Sequence, residues 1–141
     1  MIQQLFQRIP LAHRQFIIFC SVGLVGFMVD AGSLSVLKRG VGLDPVIARI
    51  ISEFVIAMTV TWQLNRNLTF RDRRDQPLWQ EYLRFAMANG VGNLANLGTY
   101  TVLVKTVALF SRFPELATLV GTGVGVAFNF TGSKYFVFRR A

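Results

Sequence analysis

Four stretches of nearly unbroken apolar character run along the chain, roughly residues 15–37, 46–65, 84–107 and 116–133, with short polar or Gly/Pro-containing segments between them. Each approaches the ~20 residues that a helix rising ~1.5 Å per residue needs to cross ~30 Å of hydrocarbon. The pattern predicts an all-α integral membrane protein with four transmembrane helices in one domain, residues 1–141. Composition supports this: 52% of the 141 residues are hydrophobic and the mean hydropathy is +0.45, too apolar for an ordinary soluble domain. The first stretch exceeds the ~7–15-residue apolar region of a cleaved signal peptide and contains Asp30, so it is expected to persist in the mature protein.

The net charge of +8 alters the picture only through its placement. Arg8, Arg14, Arg66, Arg71, Arg73, Arg74, Arg84, Lys134, Arg139 and Arg140 fall beyond or at the ends of spans on one side, while Lys38, Arg39 and Arg112 fall on the other. The positive-inside rule makes the first side cytoplasmic, together with both termini and the central loop. Topology thus accounts for the basicity, and no nucleic-acid partner is expected. In the central "RDRRDQPLWQEYLRF", Trp79, Tyr82 and Phe85 recur at helical spacing, which predicts an interfacial helix before the third span. Leu5, Phe6 and Ile9 near the N-terminus suit the same anchoring role.

The chain also repeats itself. An offset of 69 pairs Gln15 with Arg84, Phe16 with Phe85 and Gly23 with Gly92. An offset of 68 pairs Trp62 with Phe130, Arg66 with Lys134 and Phe70 with Phe138. The halves, about 14–70 and 83–138 with a linker at about 71–82, read as two helical hairpins that enter from the same face, a parallel repeat. Surrounding a cargo with more than four helices would need a homo-oligomer, a dimer or larger. The two closing stretches, "TWQLNRNLTF" and "NFTGSKYFVF", put Arg66 and Lys134 where they can meet headgroup phosphates, or simply flank a span as cations and aromatics commonly do.

Charges inside spans need compensation, since one at the bilayer centre costs at least ~2.5–3.5 kcal/mol. Asp30, Arg49 and Glu53 come to similar depth in the outer half of the first hairpin, and Arg49 and Glu53 share a helix face, so the three can form one network; Lys105 also falls within a span. An ion pair fixing the hairpin, a proton-coupling carboxylate and a sugar-recognising cluster all fit this pattern. The repeat offsets assign Thr99, Ala117 and Gly121 as the second-half counterparts. Asn89, Asn93 and Asn96 form a polar stripe on the third span, able either to bond sugar hydroxyls or to hold helices together. The glycines at 23, 26, 121, 123 and 125 suit close packing, or a smooth groove along which a lipid tail could slide. Cys20 is the only cysteine, His13 the only histidine, and no phosphate-binding loop occurs, so neither a metal, a cofactor nor catalysis is expected.

The order "RQF…VGLVGFMVD", "WQLNRNLTF", "RF…NGVGNLAN" and "NFTGSKYFVF" resembles the GtrA-like family of small four-helix bacterial membrane proteins, from about Gln15 to Arg139. One departure is Thr61, which stands where the second half has Asn129. The resemblance implies a flippase that moves a polyprenyl-phosphate-linked sugar, such as undecaprenyl-phosphate glucose, across the bacterial cytoplasmic membrane for cell-surface polysaccharide synthesis. Arg66 and Lys134 would then meet the lipid phosphate, and the sugar would pass Asn89, Asn93, Asn96 and Asn129. The alternative it implies is a membrane adaptor that recruits or stabilises a glycosyltransferase. A four-helix multidrug exporter of cations fits less well, because the first span lacks its usual Glu and the matched cations would repel such a cargo.

Overall fold

The computed structural model describes residues 10–73 and 76–139. Arg8, Arg74 and Arg140, with Leu5, Phe6 and Ile9, lie outside the described residues. The chain divides into two compact units, Met1–Arg74 and Asp75–Ala141. Every described regular element is helical.

In the first unit, α1 (Leu11–Gly40) ends in a π-helical turn over Val36–Gly40. Gly42, with φ at 78°, takes the left-handed conformation that lets the chain reverse. Asp44 then caps α2 (Pro45–Thr69): its Oδ1 accepts from Val46 N at 2.9 Å and Ile47 N at 3.3 Å, and Pro45 occupies the first position, where its missing N–H costs nothing. Two π-helical segments interrupt α2, Ile51–Ala57 and Asn65–Thr69. Phe19 and Val22 of α1 are buried, as are Ala48, Ala57 and Phe70, and the Phe19 and Phe70 rings meet edge to face at 6.4 Å.

In the second unit, Pro77 precedes α3 (Leu78–Thr106), α4 (Ala108–Arg112) forms a short turn, and α5 (Pro114–Gly132) runs into a π-helical turn at Ser133–Val137. Phe85 and Phe138 meet at 6.3 Å, and Ala88, Ala117 and Val137 complete the core. The interfacial helix expected before the third span is not a separate element. No glycine or proline falls between Leu78 and Gly90, so the helix continues without a break; Trp79 stays 68% exposed while Phe85 turns inward. Lys105, expected within a span, sits exposed in the last turn of α3, where a cation complements the carbonyl end of the helix.

Both units carry large apolar side chains on the outside, with Leu24, Phe27, Leu94 and Leu119 64–71% exposed, while alanine and serine are among the residues buried inside. By length and composition α1 and α2 can each cross a membrane. α3 and α5 are diluted by asparagine, threonine and glycine.

The two units bury their helices in matching patterns, at a register that differs from the one the sequence suggests. The buried residues of α1 are Gln15, Phe19, Val22 and Gly26, and those of α3 are Glu81, Phe85, Ala88 and Gly92, an offset of 66 rather than 69. The tempting match of Phe16 with Phe85 therefore aligned an exposed ring with a buried one. On the second helix, Ala48 and Ser52 correspond to Ala117 and Gly121, whereas Ala57 corresponds to Gly125. The offset thus falls from 69 to 68 between Ser52 and Ala57. One extra residue lies there in the first unit, and the π-helical Ile51–Ala57 accommodates it, because a π turn takes up one more residue than an α turn.

Candidate functional site

The extra residue lies beside the intramembrane charges. Arg49 bridges two carboxylates: Nη1 donates to Asp30 Oδ2 at 2.8 Å and Nη2 to Glu53 Oε2 at 3.0 Å. Asp30 is the most enclosed of the three, at 14% side-chain exposure against 35% for Glu53 and 50% for Arg49. Two serines complete the cluster. The Ser52 hydroxyl, fully buried, contacts Asp30 Oδ1 and lies 2.7 Å from the Asp30 carbonyl oxygen; Ser33 Oγ is 3.0 Å from Ser52 Oγ. Two carboxylates on one guanidinium leave a formal charge of −1 when all three are ionised. The serine pair gives Asp30 a neutral donor besides the cation.

The corrected register changes the counterparts of this cluster. Asp30 corresponds to Asn96, not Thr99; Arg49 corresponds to Thr118, not Ala117; and Gly121 replaces Ser52 rather than Glu53. The second unit therefore builds the same spot from uncharged groups. A Cβ on Gly121 would stand 2.8 Å from the Asn96 carbonyl oxygen, so the two helices approach there more closely than a serine permits.

The other asparagines separate in role. Asn96 packs against Gly121 and Gly125. Asn89 is half-buried and its Nδ2 bonds Phe85 O of its own helix at 2.8 Å. Asn93 is exposed. Asn129 Oδ1 is buried without a hydrogen-bond partner and lies where a Cβ on Gly92 would be, so a Gly92 Cα hydrogen points at it. Thr61 makes the matching contact, its methyl against Gly26. The Thr61/Asn129 difference is thus a difference between two closely packed helix crossings.

Arg66 and Lys134 occupy the same position of matching π turns, and both are half-buried. Lys134 Nζ lies 5.7 Å from the Phe130 ring centroid and 5.5 Å from that of Tyr135, within cation–π reach. Arg84 sits 5.8 Å over Phe136 and donates to Gln76 Oε1 at 3.0 Å.

Two buried polar positions at the start of the repeat are not legible in the sequence. Gln15 is 2% exposed, with neither side-chain polar atom hydrogen-bonded, and Glu81 is fully buried at the matching place. Beside the π turn of the first unit, Thr69 Oγ1 donates to Asn65 Oδ1 at 2.8 Å, with both residues buried. A polar residue at a span's end resembles an interfacial one in sequence, and only the shared offset of 66 distinguishes these.

With this geometry in place, comparison with known families is decisive. The GtrA/DPMS transmembrane-domain family matches residues 18–138. The chain belongs to that family. No curated protein sequence matches it. Membership, together with the apolar exteriors of α1 and α2, makes this a membrane protein related to polyprenyl-phosphate-sugar metabolism.

Proposed function

We propose that this GtrA/DPMS family member is a flippase for a polyprenyl-phosphate-linked sugar in the bacterial cytoplasmic membrane, non-enzymatic and acting as a homo-oligomer. In this reading four helices span the bilayer, with both termini cytoplasmic. The observation that carries it is the duplicated cationic π turn, with Arg66 and Lys134 at one register in two units that otherwise differ in charge. A phosphate entering hydrocarbon is costly unless paired, and a cation held at aromatic rings stays at the boundary where it can pair. The Asp30–Arg49–Glu53 cluster adds polar groups of the kind that hydroxyls of a sugar can bond.

The test is binding of polyprenyl-phosphate glucose to the detergent-solubilised protein. Arg66→Ala with Lys134→Ala should weaken it at least about tenfold per cation, since a hydrogen bond to a charged group is worth ~1.5–3 kcal/mol. Unchanged affinity removes both residues from phosphate binding.

A second reading, a membrane adaptor for a glycosyltransferase, draws support from Leu78 and Trp79, 56% and 68% exposed at the start of α3. It predicts an enzyme captured by the wild type and by Glu53→Gln but lost when residues 71–80 are replaced.

A further inference from the structure

The second unit carries a feature that the phosphate site does not use. A groove of about 480 Å³ runs between α3 and α5, with an almost wholly apolar lining. Its floor is the contact of Ala88 with Gly132, where a Cβ on the glycine would come within 3.1 Å of the alanine methyl. Only residues this small leave the space open. At the corresponding positions of the first unit stand Val22 and Leu64, and the wall residue Tyr135 corresponds to Asn67. The floor is therefore widened in one copy, whereas the matching floor of the other is built from the larger Val22 and Leu64.

Charge marks one end of this groove. Tyr135 and Phe136 line it, and these are the rings beside which Lys134 and Arg84 sit, at 5.5 and 5.8 Å. The complementary ligand is an amphiphile with an anionic head at the two cations and one hydrocarbon chain along the groove. A single floor of Ala88 and Gly132 suits one chain better than the paired tails of a diacyl lipid. We infer that this groove holds the isoprenoid chain of the carrier lipid whose phosphate Lys134 meets, so that the second unit of each protein chain takes one polyprenyl phosphate. The inference rests on the reading of Lys134 as a phosphate ligand, and it adds Arg84 as a second.

Val91 and Met87 line the groove from its rim and are 54% and 55% exposed, so enlarging either fills the groove without touching the helix contact. The experiment uses the full chain in lipid nanodiscs, with polyprenyl phosphate carrying a diazirine on its chain, labelled sites being read by peptide mass spectrometry. Labelling is expected on α3 and α5 around Met87, Val91 and Phe128, saturating at one per chain. Unlabelled polyprenyl phosphate should compete, whereas phosphatidylglycerol at the same concentration should not. Val91→Trp should reduce affinity at least about tenfold, and Met87→Trp provides the same test if the first variant fails to fold. If both tryptophan variants bind like the wild type while the Arg66/Lys134 double alanine does not, the phosphate reading stands and the tail groove is wrong. Equal competition by phosphatidylglycerol makes the groove a site for ordinary lipid and overturns the inference. Absence of polyprenyl-phosphate binding by folded wild type overturns both.

Discussion

Replacing Arg49 with leucine tests whether the intramembrane cluster acts as a unit. The guanidinium makes two contacts of unequal worth. Its bond to Asp30 joins a carboxylate only 14% exposed, for which a charged hydrogen bond is worth about 1.5–3 kcal/mol. Its bond to Glu53 is an i,i+4 pair between groups 50% and 35% exposed, worth about 0.3–0.5 kcal/mol. Arg49→Leu should therefore cost about 2–3 kcal/mol, nearly all through Asp30. Glu53→Gln should cost no more than about 0.5 kcal/mol. Combining Arg49→Leu with Asp30→Asn should cost less than the sum of the singles by at least about 1 kcal/mol, because once the cation is gone a neutral amide facing Ser52 is better than a charge. Reversible unfolding in mixed micelles, followed by Trp62 fluorescence in a Trp79→Phe background, measures all four. Additive singles, or a Glu53 effect as large as that of Asp30, would refute the assignment of Asp30 as the anchor of the cluster.

The glycines supply a matched pair of outcomes. Gly92→Ala should destabilise by about 1–3 kcal/mol, because its methyl meets the Asn129 carboxamide. Gly23→Ala, with open space where the methyl would go, should be neutral or stabilise by up to about 1 kcal/mol; the same unfolding assay reads both. Phe138→Ala should cost about 3–5 kcal/mol, since a fully buried ring is lost from its contact with Phe85, while Phe136→Ala at the exposed neighbour should cost much less.

The four long helices are legible in the chain because apolar runs of about 20 residues have few other uses, and Pro45, Pro77 and Pro114 mark where three of them begin. The trio of Asp30, Arg49 and Glu53 is legible for a related reason: charges in such runs must find one another. The register of the repeat is not. Sequence similarity favours matching Phe16 to Phe85 and Gly23 to Gly92, yet burial assigns Phe19 and Gly26, because in a helix pair the constraint is on the face presented and not on the nearest identical letter. Ser33 and Ser52 gave no signal, as serine is common in apolar helices, and the extra residue that follows Ser52 in the π segment shows only when two units are compared residue by residue.

The measurement that bears most directly on the proposed function is flipping of polyprenyl-phosphate glucose in liposomes containing the purified protein. The account predicts transport by the wild type and its loss in the Arg66→Ala, Lys134→Ala double variant. Glu53→Gln tests whether the cluster takes part, and loss of transport without loss of stability would place it on the path. No transport by folded, correctly inserted wild-type protein would contradict the flippase and leave the adaptor as the reading to pursue.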